Sequence, residues 1–127
     1  MSVDGSSRSN GAHIIQWSCI GAEAQLWQLE WLPDTQIFQI RNLRSDKCVS
    51  IANDSTANGA QLIQWTCQQK ASQLWFDNPV GGAIELRSLH VRSKCISVNN
   101  AVPDNGAKII LWGCAVYPAT SPYQQWY

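Results

Sequence analysis

The cysteines are the residues whose spacing points most directly to a chemistry. The chain has 127 residues and five cysteines, and Cys48 precedes Cys67 by 19 positions, as Cys95 precedes Cys114. Pairs at a repeated spacing predict disulfides in an oxidising compartment, each stabilising the fold by about 3 kcal/mol. Two pairs of buried thiols are the alternative. Zinc is disfavoured, because no close Cys-x-x-Cys pair or ordered histidine set accompanies these residues.

Catalytic chemistry has little support in the sequence. Histidine is the side chain best suited to proton transfer near neutral pH, and neither His13 nor His90 has a nucleophile or an orienting acid near it in sequence. His13 occupies a variable position that is typical of a surface residue. The nine carboxylates show no spacing that indicates a glycosidase pair. We therefore predict a protein that is not an enzyme and needs neither a cofactor nor a metal.

Charge and hydropathy exclude two classes of partner. Nine basic and nine acidic residues give a net charge of zero, so nothing indicates nucleic acid or an anionic membrane surface. No stretch approaches the roughly 20 apolar residues of a membrane span. The N-terminus has no hydrophobic signal region. Together with the cysteines, these features predict a secreted protein whose export signal is not part of this sequence.

One pattern occurs three times along the chain. Each copy reads Asn-Gly-Ala, x, Ile or Leu, Ile, x, Trp, x, Cys, and a Gln-x-Trp phrase follows. The leading tryptophans Trp17, Trp65 and Trp112 are 48 and 47 residues apart. A fixed period indicates one small unit that buries its apolar face against its neighbours. We predict a single domain over residues 1–127, with repeats one, two and three at about 1–34, 35–80 and 81–127.

Strands, not helices, are expected within each repeat. Phe38 and Ile40 alternate with polar neighbours, as do Ile84 and Leu86, and no long stretch has a period of 3.6 residues. Gly, Asn, Asp and Pro supply turn signals between these segments. The pattern predicts an all-β fold, with a strand near residues 36–43 in repeat two.

Repeat one is shorter than the others at its start. Repeats two and three open with Lys-Cys followed by Val49-Ser50-Ile51 and Ile96-Ser97-Val98, whereas Met1-Ser2-Val3 occupies the same register with no Lys-Cys and no preceding strand. Cys19 is therefore predicted to be a free thiol. We also expect Met1 to lie within a longer parent sequence, one that can carry a domain fused upstream.

The Lys-Cys starts, the Asn-Gly-Ala turns and the Gln-x-Trp phrases together resemble the ricin-type β-trefoil lectins, also called the Gln-x-Trp repeat family, which includes the family-13 carbohydrate-binding modules. The resemblance implies a pseudo-threefold β-trefoil of six hairpins, three closing a short barrel and three capping it. It also implies shallow sites, up to one per repeat, for galactosides, xylan-type or other glycans. Members of the family are often attached to glycosidases or toxins.

The resemblance implies which residues contact sugar. Trp17, Trp65 and Trp112 match the stacking aromatic, whereas the tryptophans of the Gln-x-Trp phrases match core positions. The family's galactose binders carry Asp two residues after the first Cys and Asn before the Gln of Gln-x-Trp. Here the first position holds serine and the second holds Ala, Ser or Tyr, so we expect weak sites that differ from the usual galactose pocket. The residues at these positions are Ser2, Ser50 and Ser97, and Ala24, Ser72 and Tyr123.

Other polar groups could replace the missing ligands. The candidates are Asn53, Asp54 and Gln73 in repeat two, and Asn99, Asn100, Tyr123 and Gln124 in repeat three. The alternative for each is a solvated turn residue or an Asx side chain that bonds the backbone. The glutamines of the Gln-x-Trp phrases are expected to bond backbone near the repeat junction. The alternative function is a trefoil that has lost sugar binding and acts as a protein-interaction or structural module.

Overall fold

A computed structural model describes residues 1–80, 83–114, 124 and 126. Its strands are β1 (Ser2–Val3), β2 (Ile14–Ile15), β3 (Trp27–Trp31), β4 (Ile37–Asn42), β5 (Lys47–Ile51), β6 (Leu62–Thr66), β7 (Trp75–Val80), β8 (Ala83–Ser88), β9 (Lys94–Val98) and β10 (Ile109–Gly113). Single 3₁₀ turns span Asp4–Ser6, Glu23–Gln25, Ala52–Asp54, Ala71–Gln73 and Asn99–Ala101. The described residues contain no α-helix, so the all-β prediction is confirmed.

Each repeat contributes one antiparallel hairpin of the same register. In repeat two β5 pairs with β6, so that Ser50 lies opposite Ile63. In repeat three β9 pairs with β10 in the equivalent register. In repeat one only the short pair β1–β2 forms, with Ser2 opposite Ile15. The predicted register of residues 1–3 is therefore confirmed.

The other strands form a second set of antiparallel neighbours, which we call the barrel strands: β3, β4, β7 and β8. Pairing runs in the order β3–β4–β7–β8, and Ile84 of β8 bridges to Trp126. β4 begins at Ile37 and ends at Asn42, within the predicted strand. Its apolar residues Phe38 and Ile40 are fully buried, as the alternation indicates.

The Asn-Gly-Ala turns join each repeat to the next one. In repeat two, the Gly59 N–H donates to the Leu111 carbonyl at 2.7 Å, and the Asn58 side-chain oxygen accepts from the Gly113 N–H at 2.9 Å. Gly59 has a φ of +89°, a left-handed conformation that glycine adopts without a Cβ penalty. We call this arrangement the inter-repeat clasp.

Two more clasps complete a ring of three. Repeat one holds repeat two through Gly11 and Asn10, which bond Gln64 and Thr66. Repeat three holds repeat one through Gly106 and Asn105, which bond Gln16 and Ser18. The pseudo-threefold arrangement that the resemblance implies is therefore built from hydrogen bonds that run from repeat to repeat.

A single amide ties the three repeats at their common axis. The Gln61 Nε2 atom lies 3.2, 2.7 and 3.1 Å from the carbonyl oxygens of Ile14, Leu62 and Ile109, respectively. These three residues hold the same position in the three repeats. The fold is thus nearly symmetric in its backbone, but only repeat two supplies the side chain that bonds all three carbonyls.

One hydrophobic cluster draws on every repeat. Val3 and Ile14 come from repeat one, Leu62 and Trp75 from repeat two, and Ile109 from repeat three, all of them buried. Trp75 of the Gln-x-Trp phrase is fully buried, and its counterparts Trp27 and Trp126 are half-buried against the same cluster. The core role predicted for these tryptophans is confirmed.

Two disulfides fasten the hairpins of repeats two and three. Cys48 bonds Cys67 and Cys95 bonds Cys114, so the predicted pairing is confirmed and the alternative of buried thiols is wrong. Cys19 is a free, exposed thiol, as predicted. No helix among the described residues is long and apolar enough to cross a membrane.

Candidate binding clefts

One candidate cleft lies on repeat two. Its volume is about 570 Å³, and its wall includes the 3₁₀ turn at Ala52–Asp54, the strand residue Trp65 and the 3₁₀ turn at Ala71–Gln73. The opposite rim belongs to repeat one, because the inter-repeat clasp brings Gly11 and His13 to the same cleft.

Strand alternation turns Trp65 outward. Its neighbour Gln64 is fully buried, and the Gln64 amide donates to the carbonyls of Ser7 and Ser9 at 3.0 and 2.9 Å. Successive strand residues face opposite sides, so Trp65 is 40% exposed and its ring is available to a ligand. The indole is therefore not packed under a neighbouring loop.

An ionised carboxylate shares the cleft with this indole. The backbone at Asn53 and Asp54 has φ values of +57° and +52°, and this tight turn presents the Asp54 side chain to the cleft. The Ser72 hydroxyl donates to Asp54 Oδ1 at 2.6 Å, and Lys70 Nζ lies 3.3 Å from Oδ2. The Ser72 hydrogen bond, followed by the Lys70 hydrogen bond and charge, lowers the pKa of Asp54.

The floor of the cleft is made of polar groups that already bond one another. The Gln73 amide donates to the Ser50 hydroxyl at 2.8 Å and to the Thr66 carbonyl at 2.9 Å, and its oxygen accepts from the Gln68 N–H at 2.7 Å. Ser50 donates to the Cys48 carbonyl. Ser50 and Gln73 are both buried. The backbone role predicted for Gln73 is therefore confirmed.

The same arrangement recurs in the other repeats. Gln124 donates to the Ser97 hydroxyl and to the Gly113 carbonyl, both at 2.8 Å. In repeat one, Gln25 bonds the backbone of Ser18 and Ile20. The glutamine of each Gln-x-Trp phrase thus fastens its own repeat, whatever else it does.

Repeat one carries a smaller cleft of about 330 Å³. Its lining includes Trp17, which is 45% exposed, together with Asp4, Ile20 and Gln25. Ser6 stands where repeat two has Asp54, with a φ of +51°. This cleft has an exposed aromatic ring but no carboxylate at the equivalent turn position.

Repeat three has the stacking aromatic but differs at the turn. Trp112 is 49% exposed, Asn100 is exposed and Asn99 is half-buried. Ala101 takes the place of Asp54, with a φ of +51°. The candidate Tyr123 lies outside the described residues.

Four polar residues that line the repeat-two cleft were not predicted as ligands from sequence: His13, Gln68, Lys70 and Ser72. In the sequence, Ser72 is notable only because it stands where the family's galactose binders carry the asparagine before Gln-x-Trp. His13 belongs to the neighbouring repeat, and no local pattern places it here. The sequence does carry a signal for Asp54, because Ser6 and Ala101 stand at its position in the other repeats. A carboxylate that occurs at this position in only one repeat is not required by the fold, which favours a role in binding.

One cluster has the ligand types of a metal site. Ligand atoms of Glu85, Cys95 and Cys114 lie within 4.8 Å of one another. Both sulfur atoms are in a disulfide and so are not thiolates that could bind a metal. This cluster is structural.

The chain is similar to a known protein family and to several solved structures. A family profile described as ricin-type beta-trefoil lectin domain-like matches residues 30–112. No protein of curated function matches the chain in sequence.

Three solved structures illustrate the similarity. The designed three-fold symmetric protein ThreeFoil is 32% identical, with a TM-score of 0.89 over 98% of this chain and 86% of the other. An exo-β-1,3-galactanase from Clostridium thermocellum is 28% identical, with a TM-score of 0.88 over 98% of this chain, which spans only 26% of that enzyme. The Rhizoctonia solani agglutinin, at 15% identity, shares the fold, with a TM-score of 0.84 over 98% of this chain and 82% of the other.

Proposed function

Since the chain belongs to the ricin-type β-trefoil lectin domain-like family, we propose that it is a carbohydrate-binding module whose principal site is the repeat-two cleft. The module binds and does not catalyse. The agglutinin supports this proposal at the level of the fold alone, and the galactanase supports it because a similar domain forms part of an enzyme named for a carbohydrate substrate.

The observation that carries the proposal is the pairing of Trp65 and Asp54 in one open cleft. An indole offers an apolar face for the apolar side of a pyranose ring. A carboxylate accepts hydrogen bonds from sugar hydroxyls, and such charge-assisted bonds contribute about 1.5–3 kcal/mol each. Asp54 thereby supplies the charge that galactose binders of the family carry at the position of Ser50.

Galactosides are the first ligand class to test, followed by xylan-type and other glycans. The galactanase comparison supports this order, because the matched region of that enzyme is a small part of a longer protein that acts on β-1,3-galactan. In our proposal the chain likewise acts as a module attached to a larger enzyme or toxin.

A glycan and polysaccharide array, followed by calorimetry on the best ligand, tests the proposal. We expect Trp65→Ala to weaken binding by about tenfold or more, which corresponds to about 1.4 kcal/mol or more. Trp31→Ala is the matched control, because Trp31 is at least as exposed, at 50% against 40% for Trp65, and does not line either described cleft. Equal affinity of the two variants would reject the repeat-two site.

A protein-interaction or structural module is the second candidate. The observation that favours it is the state of Ser50 and Ser97, both buried, with hydroxyls that accept from Gln73 and Gln124. These serines serve the core where the family's galactose binders present a ligand. A folded protein that binds nothing on the array would favour this second function.

The proposal also covers the location of the protein and the extent of the domain. The two disulfides favour an extracellular location. Residues 1–127 act as one domain, because a single cluster of buried residues draws on every repeat.

A further inference from the structure

The barrel strands β4 and β8 end in the same way. The Asn42 side-chain oxygen accepts a hydrogen bond from the Arg44 N–H at 3.0 Å, and the Ser88 hydroxyl accepts one from the His90 N–H at 3.1 Å. Both strands therefore turn through a bond from a side chain to the backbone two residues further on. Arg44 and His90 thus hold equivalent positions in repeats two and three, although their side chains differ.

Each of these two side chains bonds the 3₁₀ turn of the preceding repeat. Arg44 Nε donates to the Ser6 carbonyl at 2.8 Å, and His90 Nε2 lies 2.8 Å from the Asp54 carbonyl. A carbonyl oxygen only accepts, so His90 Nε2 carries the proton. Ser6 and Asp54 are the last residues of their turns, and both have a left-handed backbone. We call this repeated contact the turn bond.

In repeat two the turn bond adds a support from another repeat to Asp54. Two hydrogen bonds hold the Asp54 carboxylate from within repeat two, whereas His90 holds the Asp54 backbone from repeat three. Lys94 of repeat three also donates its Nζ to the carbonyl of Thr56, two residues after Asp54. His90 does not line the described cleft, so its route to a bound ligand is through Asp54.

We propose that His90 is a positioning residue for the repeat-two cleft, so that repeat three sets the affinity of a site built from repeats one and two. The role of His90 rests on the proposed function, because Asp54 must contact the sugar for its position to matter. A left-handed backbone is unfavourable for a residue with a Cβ, so releasing the Asp54 carbonyl lets the turn relax and displaces the carboxylate. Hydrogen bonds depend steeply on geometry, and a displaced carboxylate therefore binds sugar more weakly.

Calorimetry with lactose, a soluble galactoside, is the first arm of the test. We expect His90→Ala to weaken binding by about three- to tenfold, the range for the loss of one hydrogen bond. His90→Arg should restore the affinity to within about twofold of the wild type, because Arg44 donates the same bond from the same position. Arg44→Ala is the matched control. It removes the turn bond of repeat one, where serine takes the place of Asp54, and should leave the affinity unchanged.

Two further measurements tie the effect to Asp54. In an Asp54→Asn background, His90→Ala should change the affinity by less than about twofold, because residues that act through one another are not additive. The other measurement needs no sugar. The pKa of Asp54 is lowered by the Ser72 bond, by Lys70 and also by the charge of His90. Carboxyl carbon NMR should therefore show this pKa raised in His90→Ala and unchanged in Arg44→Ala.

The outcomes separate the role of His90 from the proposed site. If Trp65→Ala weakens lactose binding and His90→Ala does not, the site stands and the positioning role is overturned. Equal losses in His90→Ala and Arg44→Ala would also overturn it, because they would report a general loosening of the fold. If lactose does not bind, or binds Trp65→Ala as well as the wild type, the proposed galactoside site fails instead. The NMR titration then decides the role of His90 alone: a raised pKa of Asp54 in His90→Ala supports it, and an unchanged one overturns it.

Discussion

Asp54 illustrates how one residue differentiates nearly identical units. The backbone at Ser6, Asp54 and Ala101 has the same left-handed conformation, with φ of 51°, 52° and 51°. The turn is therefore required by the fold, but the carboxylate is not. At this turn position, repeat two differs from the other repeats in charge and hydrogen-bonding capacity and not in backbone conformation.

We predict that Ser72→Ala raises the pKa of Asp54 toward its ordinary value. The Ser72 hydrogen bond is the largest cause of the lowered pKa, and removing it favours the protonated form. Because the pKa of Asp54 is lowered in the folded state, its ionised carboxylate stabilises the fold at pH values above the unfolded-state pKa. This stabilisation is lost as the pH falls through the lowered, folded-state pKa. Sugar binding that depends on Asp54 therefore weakens at a higher pH in the variant.

Carboxyl carbon NMR over an acid titration measures this change directly. Lys70→Gln serves as the companion variant, and it should raise the same pKa by less, since the exposed Lys70 pair is screened by solvent. A larger rise in Lys70→Gln than in Ser72→Ala would mean that charge, not the hydroxyl, sets the pKa.

At the scale of elements, the Asn-Gly-Ala turn acts between repeats. The sequence predicts a turn there correctly, but its partner strand lies more than 50 residues away, as Asn58 and Gly113 illustrate. Local periodicity reports which face of a strand is buried and carries no information about which neighbour a turn contacts. His13 was missed as part of the repeat-two cleft for the same reason.

Gly59→Ala should lower the free energy of unfolding by about 1–2 kcal/mol, the usual cost of a left-handed conformation for a residue with a Cβ. An added Cβ would meet no atom within 4 Å, so the cost is conformational. Urea denaturation measures the loss. Gly113→Ala is the control, since Gly113 lies in β10 without a left-handed φ, and its nearest neighbour is 3.9 Å away. Equal losses in the two variants would contradict the argument.

Much of the fold could be predicted from sequence because it repeats. The all-β class, the disulfides, the strand β4 and the register of residues 1–3 each follow from pattern and spacing. The cleft was less predictable. Asn53 and Asp54 were correctly placed near Trp65, but Lys70 and Ser72 come from a different turn, and only the folded chain shows that Ser72 bonds Asp54.

At the scale of the whole molecule, the contact between the three repeats at their common axis depends on the side chain of Gln61. Gln61→Ala would leave three carbonyls without their shared donor, and an unsatisfied buried polar group costs about 1–3 kcal/mol. We expect a loss of stability in that range by thermal or urea unfolding. Lys108→Ala, at the same position of repeat three and exposed, should change stability by less than about 0.5 kcal/mol. An unchanged free energy of unfolding in Gln61→Ala would show that water replaces the Gln61 amide.

The three repeats should not contribute equally to binding. Among the described residues, only repeat two combines an exposed tryptophan with a carboxylate at the third position of the 3₁₀ turn, where Ser6 and Ala101 stand in the other repeats. Calorimetry with a short soluble glycan should therefore give close to one strong site per chain. Trp65→Ala should weaken binding at that site by about tenfold or more, and Trp112→Ala should leave it unchanged. Three equal sites, each lost with its own tryptophan, would contradict this prediction. Weak additional sites would appear only on a polysaccharide, through avidity.

The ring of inter-repeat clasps has a consequence for the speed of folding. The clasp from repeat three to repeat one joins Asn105 to Ser18, 87 positions apart, so the ring closes only after most of the chain is in place. Contacts between residues this distant raise the relative contact order, and domains dominated by them fold in milliseconds to seconds. An open array of repeats can extend one unit at a time, whereas this closed ring cannot. We therefore expect one slow, cooperative folding step.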